Sequence, residues 1–145
     1  MSLCSRVLDE VRATILAELH RLPRGGERAV LLDVGCWDGA GTQRYSEALG
    51  GAARRGVEVF EAQAREAQAR GIDVARTDLE TKPFPWPDAS VDVVVCNQVL
   101  EHLKNIWLPM SEMHRVLKPG GHAILSVPNL ASLHNRVLLA LGRQP

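Results

Sequence analysis

Residues 29–42 read AVLLDVGCWDGAGT. The apolar run Ala29, Val30, Leu31 and Leu32, broken by Asp33 and followed at once by Gly35 and Gly39, reads as a strand buried on both faces that empties into a tight glycine turn. Residues 42–49 can then begin a helix. A strand, a glycine turn and a helix N-terminus in succession form a cradle for a nucleotide-like ligand, because backbone N–H groups point outward there and glycine lets a ligand approach the chain.

A missing residue narrows the ligand. The dinucleotide fingerprint G-x-G-x-x-G needs its second glycine for contact with a pyrophosphate, and Trp37 occupies that position. The phosphate loop G-x-x-x-x-G-K-[ST] is absent as well. Asp33, at the head of the turn, suits a cation and would repel a phosphate. S-adenosylmethionine meets these conditions, since it carries an adenosine, a sulfonium and an ammonium group and no phosphate.

Asp33, Gly35 and Gly39 stand as D-x-G-x-x-x-G, and in this the chain resembles the class I S-adenosylmethionine-dependent methyltransferases. Trp37 is a departure at a position where many members of that family have glycine. A longer passage, PFPWPDASVDVVVCNQVLEHL at residues 83–103, resembles the fourth-strand motif of the broad group that includes ubiquinone and menaquinone biosynthesis enzymes and many small-molecule methylases. The resemblance implies an α/β Rossmann-like three-layer α/β/α sandwich whose parallel sheet of about five strands has the order 3-2-1-4-5. It also implies two further strands after the fifth. The chain ends after five, which predicts either a minimal version or the N-terminal portion of a longer protein. The apolar patch Val137, Leu138, Leu139 and Leu141 favours the second.

With 145 residues, 46% hydrophobic content and zero formal net charge, a soluble single domain with one core is expected. Balanced charge gives no reason to expect nucleic acid, whose backbone demands a basic surface. The three cysteines, Cys4, Cys36 and Cys96, have no C-x-x-C spacing, so neither zinc nor a disulfide frame is expected. No signal peptide or membrane span is legible, and a cytoplasmic location follows by default.

Around the central stretch, Leu3, Val7, Leu8, Val11, Ile15, Leu19 and Leu22 recur at helical spacing and predict a helix over 3–22, ended by Pro23 and Gly25-Gly26. A second strand is expected over 56–60, with Glu58 about 20 residues past the turn and able to accept hydrogen bonds from both ribose hydroxyls. Glu61 is the alternative for that task. The alanine-rich residues 61–70 predict a solvent-facing helix capped by Gly71. A third strand follows over 72–75. The resemblance implies that an aspartate just after it, here Asp78, bonds the adenine amino group, and that the backbone of Leu79 helps fix the ring. A turn aspartate is the competing use of Asp78.

Three prolines make residues 81–87 a loop anchored by Phe84 and Trp86. The fourth strand, 91–96, ends at Asn97 and Gln98, at the switch point where such sheets bind ligands. A helix over 106–117, a turn at Lys118-Pro119-Gly120-Gly121, a strand over 122–127 and a leucine-rich helix over 130–141 complete the chain. The fifth-strand edge or that last helix would serve a homodimer. The expected cofactor-binding set is therefore Asp33, Gly35, Cys36, Trp37, Gly39, Glu58, Val59, Asp78, Leu79, Asn97 and Gln98, with no metal.

Methyl transfer from a sulfonium needs collinear donor and acceptor more than it needs a nucleophile. His102 is the candidate general base should the acceptor be a hydroxyl, in a small-molecule or lipid-like substrate. Its competing use is packing at a helix start; His20, His114, His122 and His134 lie away from the expected pocket. Two other functions fit the pattern: a binding module that keeps the cofactor and does no chemistry, and a nucleotide-dependent oxidoreductase, against which Trp37 argues.

Overall fold

A computed structural model of the chain describes residues 3–23, 25, 28–129 and 133–143, with the side chains of 3–8 and 133–134 left out. Gly26, Leu130 and the side chains of Leu3, Cys4, Val7, Leu8 and His134, on which the sequence reading draws, lie outside these described residues. The strands are β1 (Val30–Val34), β2 (Ala53–Val57), β3 (Asp73–Ala75), β4 (Val91–Asn97) and β5 (Leu117–Ser126). The helices are α1 (Leu3–Arg21), α2 (Ala40–Ala48), α3 (Glu61–Ala69), α4 (Trp107–Val116) and α5 (Leu133–Ala140). All pairings are parallel, and the sheet order is β3-β2-β1-β4-β5, as expected from the sequence.

Parallel strands need crossovers on the sheet faces, and two apolar clusters show how those faces are covered. On one face Ile15 and Leu19 of α1 and Tyr45, Ala48 and Leu49 from α2 and its end pack on Leu31, Val93 and Val95. On the same face Gly56 lies under Cys36 and Ile72, where an added Cβ would come within 2.6 Å of the Cys36 Sγ. The opposite face joins Leu32, Val34, Val57 and Val94 to Met113 and Val116 of α4 and to Phe84 and Trp86 of the proline loop. That loop is stitched down by Arg115, which donates to the carbonyls of Phe84 (3.0 Å) and Trp86 (2.9 Å) while ion-pairing Glu112 and Asp88.

Two elements depart from the sequence reading. The second strand, expected over 56–60, ends at Val57, because Glu58 folds its carboxylate back onto the amides of Val59 and Phe60, each at 2.9 Å, and opens α3. The apolar look of Val59 and Phe60 thus belongs to a half-open loop. The expected turn at 118–121 lies inside β5: Leu117 pairs with Val91 and His122 with Val93, so the glycine-rich segment forms a bulge that leaves the ladder and re-enters it. Edge strands tolerate such an insertion because only one neighbour must stay in register.

β5 is at the sheet edge, and Val137, Leu139 and Leu141 are more than half exposed. No helix among the described residues is long and apolar enough to cross a membrane.

Candidate functional site

The C-terminal ends of β1, β2 and β4 open into a cleft of about 910 Å³. Its floor is the β1–α2 turn. The amides of Gly35 and Cys36 both donate to the Val57 carbonyl, at 2.9 and 3.1 Å, which ties the turn to the end of β2. Arg70 fixes it to α3 by donating to the Asp38 carbonyl at 2.7 Å and pairing with the Asp38 carboxylate at 3.2 Å. Gly35 has a φ of 79° and packs so closely that an added Cβ would sit 2.4 Å from a Val99 methyl, so glycine is dictated twice over.

Of the residues singled out from the sequence, Asp33, Gly35, Cys36, Trp37, Glu58, Val59, Asp78, Leu79, Asn97, Gln98 and His102 all line this one cleft. Gly39 does not. With a φ of 83° it starts α2, and its Cα side presses on Ile72 and Ala67 of the β2–α3–β3 crossover, so it shapes the turn from behind. Glu61 serves the surface, pairing with Arg65 and with Arg76 at 2.9 Å.

Asp33 is buried, and its Oδ2 accepts the Thr42 hydroxyl at 2.6 Å. Burial pushes its pKa up to about 6; the charge of Glu58 adds to the rise, while the Thr42 bond opposes it. A cation brought against it would restore the carboxylate. Glu58 is also buried, and besides its two loop amides it accepts the Trp37 amide at 3.0 Å. Burial raises the Cys36 and Cys96 thiols to about 12 each, which leaves both protonated and unreactive at neutral pH.

Trp37 takes the left-handed region with a φ of 50°, and its 55% exposed ring meets the ring of Phe60 edge-on at 6.1 Å. Asp78 makes a turn of its own, accepting the Glu80 amide at 2.9 Å, so its use as a turn aspartate is realised at a residue that also lines the cleft. At the end of β4, Asn97 accepts the Ser126 hydroxyl at 2.5 Å and Gln98 takes a φ of 56°, its amide donating to the Ser126 carbonyl at 3.0 Å.

The polar cleft or near-cleft residues that escape the sequence reading include Arg12, Thr42, Arg44 and Tyr45. Thr42 and Tyr45 sit at helical spacing on a face that passes for ordinary packing. Only the nine-residue separation of Asp33 and Thr42, bridged by a strand-turn-helix, hints at their bond. No group of three or more metal-ligating side chains is gathered among the described residues.

Residues 32–125, well over half of the chain, match the methyltransferase domain family. The chain belongs to that family. This methyltransferase domain is 40% identical over 103 residues to a probable S-adenosylmethionine-dependent methyltransferase of Mycolicibacterium smegmatis, covering 68% of the chain and 38% of the relative. It is 32% identical over 141 residues to the 27-O-demethylrifamycin SV methyltransferase of Amycolatopsis mediterranei, covering 89% of the chain and 51% of the relative. Among solved structures it superimposes with a TM-score of 0.66 and 26% identity on an S-adenosylmethionine-dependent methyltransferase from Mesorhizobium loti, covering 79% of the chain and 51% of that protein. The methyltransferase domain thus spans about half or less of the length of these relatives.

The residues present fit the cofactor that the family implies. Asp33, a buried carboxylate with a raised pKa that lines the cleft at the head of the turn, suits a cation.

Proposed function

We propose that this domain binds S-adenosylmethionine in the β1–β2–β4 cleft and belongs to an enzyme that methylates an oxygen, nitrogen or carbon of a small-molecule or lipid-like acceptor. When bound, S-adenosylmethionine supplies an electrophilic methyl group on a sulfonium. Asp33 faces the cofactor's cationic end, Glu58 accepts from the ribose hydroxyls, and Asp78 with the Leu79 backbone holds the adenine edge. Gly35, Cys36, Trp37 and Val59 form the wall between them. Asn97 and Gln98 close the cleft over the β4 end, where His102 takes the proton from a hydroxyl acceptor.

The observation that carries this reading is the convergence of two buried carboxylates, Asp33 and Glu58, at the ends of adjacent strands on one cleft. An acid at the Glu58 position serves a ribose in a dinucleotide or an adenosyl ligand alike, whereas Asp33 at the head of the turn disfavours a pyrophosphate there. Holding donor and acceptor in line is itself worth about 7 kcal/mol or more of a bimolecular barrier, so the cleft needs shape and exclusion of water more than a nucleophile. The Amycolatopsis relative is named for a methylation of 27-O-demethylrifamycin SV, which supports a small-molecule acceptor.

Calorimetric titration with S-adenosylmethionine, S-adenosylhomocysteine and NAD tests the cofactor. Binding of the first two and not of NAD is expected, and tight binding of NAD alone would refute the reading. An acceptor library scored by release of S-adenosylhomocysteine tests the transfer. His102→Gln should slow transfer to a hydroxyl acceptor ~100-fold and leave cofactor affinity unchanged.

A further inference from the structure

Trp37, Val59 and Phe60 are large apolar residues of the cleft that are more than half exposed. They stand on one lip, formed by the β1–α2 turn and the β2–α3 loop. Trp37 and Phe60 are joined there twice. Their amides donate to the two oxygens of a single carboxylate, Trp37 to Oε2 of Glu58 at 3.0 Å and Phe60 to Oε1 at 2.9 Å, and their rings meet edge-on at 6.1 Å. Glu58 is buried while both rings are exposed, so at this point of the cleft the rings are the outer layer and the acid the inner one. Trp37 keeps its place at a φ of 50°, a conformation glycine adopts at less cost, and local backbone strain of this kind is a pointer to function. Packing does not call for the indole either: among the described residues it belongs to none of the apolar clusters.

We propose that Trp37 and Phe60 form an aromatic rim over Glu58 that admits a bare ribose diol and shuts out a ribose carrying a substituent on either hydroxyl. This rests on the cleft being the cofactor site, with Glu58 as the ribose acceptor. Three amides already occupy Glu58, and a carboxylate offers only about four lone-pair positions, so a diol has one direction of approach left, on the side the rings border. A free hydroxyl fits that space; a group attached to it would have to share the volume of the rings. Aromatic side chains already packed on each other lose little freedom when a ligand seats, which makes them a firm barrier. They also keep water from the carboxylate, where a drier setting strengthens each hydrogen bond that is made. A glycine at position 37 would leave this side of the cleft open.

Calorimetry with S-adenosylhomocysteine, its 2′-O-methyl and 3′-O-methyl derivatives and its 2′-deoxy and 3′-deoxy derivatives tests the rim. At a given position the deoxy and O-methyl compounds lose the same hydrogen-bond donor and only the second adds bulk, so the ratio of their affinities reads the barrier apart from the hydrogen bond. The unaltered protein should favour the deoxy compound at least ~10-fold at one position or both, the scale of one methylene too many in a closed pocket, and Trp37→Gly should bring that ratio within ~3-fold. Phe60→Ala should lower it in the same sense and gives the readout should Trp37→Gly fail to fold. Quenching by acrylamide supplies a second measurement. In Trp107→Phe, Trp37 is the exposed indole, since Trp86 is buried, and saturating S-adenosylhomocysteine should protect it. A ratio near one in the unaltered protein, a ratio that both variants leave unchanged, or an indole as quenchable with ligand as without it overturns the rim. Failure of the unaltered protein to bind S-adenosylhomocysteine at all removes the cofactor reading, and the rim with it.

Discussion

The carboxylate of Glu58 accepts the backbone N–H of Trp37 at 3.0 Å, so the residue that ends β2 also pins the turn that ends β1. One acidic side chain therefore sets the spacing of the two strand ends between which a ligand would lie. Its remaining oxygen is shared by the Val59 and Phe60 amides, and losing the carboxylate leaves three donors without their partner.

Glu58→Ala should consequently lower stability by ~2 kcal/mol, the scale for losing hydrogen bonds to a charged group, and weaken S-adenosylhomocysteine by at least ~1 kcal/mol. Glu58→Gln keeps an acceptor oxygen and should recover most of the stability and less of the affinity. Urea unfolding and calorimetry on the same preparations separate the two effects.

Asp33 carries a pH signature. Its folded-state pKa of about 6 lies above the ordinary 3.8, so the folded state favours the protonated acid. The stabilisation from this group is full below pH ~4 and fades as pH rises through 6, a swing of roughly 3 kcal/mol across that window. Asp33→Asn, which still offers an oxygen to Thr42, should flatten that portion of the stability-pH curve and raise stability at pH 7. The same substitution should weaken S-adenosylmethionine by at least ~1 kcal/mol. Unfolding midpoints at pH 4.5 and pH 7 check the first expectation, and titration of the ligand checks the second.

Two of the three positive-φ positions of the turn should respond in opposite senses. Trp37→Gly removes a non-glycine residue from a φ of 50°, where the left-handed region costs ~1–2 kcal/mol, against ~0.5–1 kcal/mol for the added freedom of the unfolded chain. Stability should stay level or rise by up to ~1 kcal/mol. Gly35→Ala places a Cβ 2.4 Å from a Val99 methyl at a φ of 79° and should cost ~2 kcal/mol or more. Thermal unfolding of the two variants side by side decides whether the turn behaves this way.

Arg115 ties Phe84, Trp86, Asp88 and Glu112 into one assembly through α4. Arg115→Ala should cost ~3–5 kcal/mol, because it strands the buried Glu112 carboxylate, which this guanidinium holds below its usual pKa. Hydrogen exchange should rise first at the Phe84 amide, which donates to Glu112 at 2.7 Å.

Residues 29–42 determined by themselves that a buried strand meets a glycine turn and a helix, since four apolar residues followed by Asp33, Gly35 and Gly39 satisfy few other backbones. With the fourth-strand passage they also carry the family resemblance, and it was that resemblance that implied the sheet order and several of the residues that meet in the cleft. The strand, turn and helix themselves are local signals, carried by periodicity and by backbone conformations that a short stretch dictates. The end of β2 was not local: Val59 and Phe60 look like strand until the Glu58 carboxylate is seen bonded back across the turn to Trp37. Nor was the bulge in β5, because the glycine-rich segment that reads as a turn stays in the sheet only through Val91 and Val93 on the neighbouring strand. Thr42, Tyr45, Arg12 and Arg44 gained their meaning from packing alone. Their spacing fits ordinary helix faces, and only the folding of α1 and α2 onto one face of the sheet put a buried acid, a phenol and two guanidiniums around the same space.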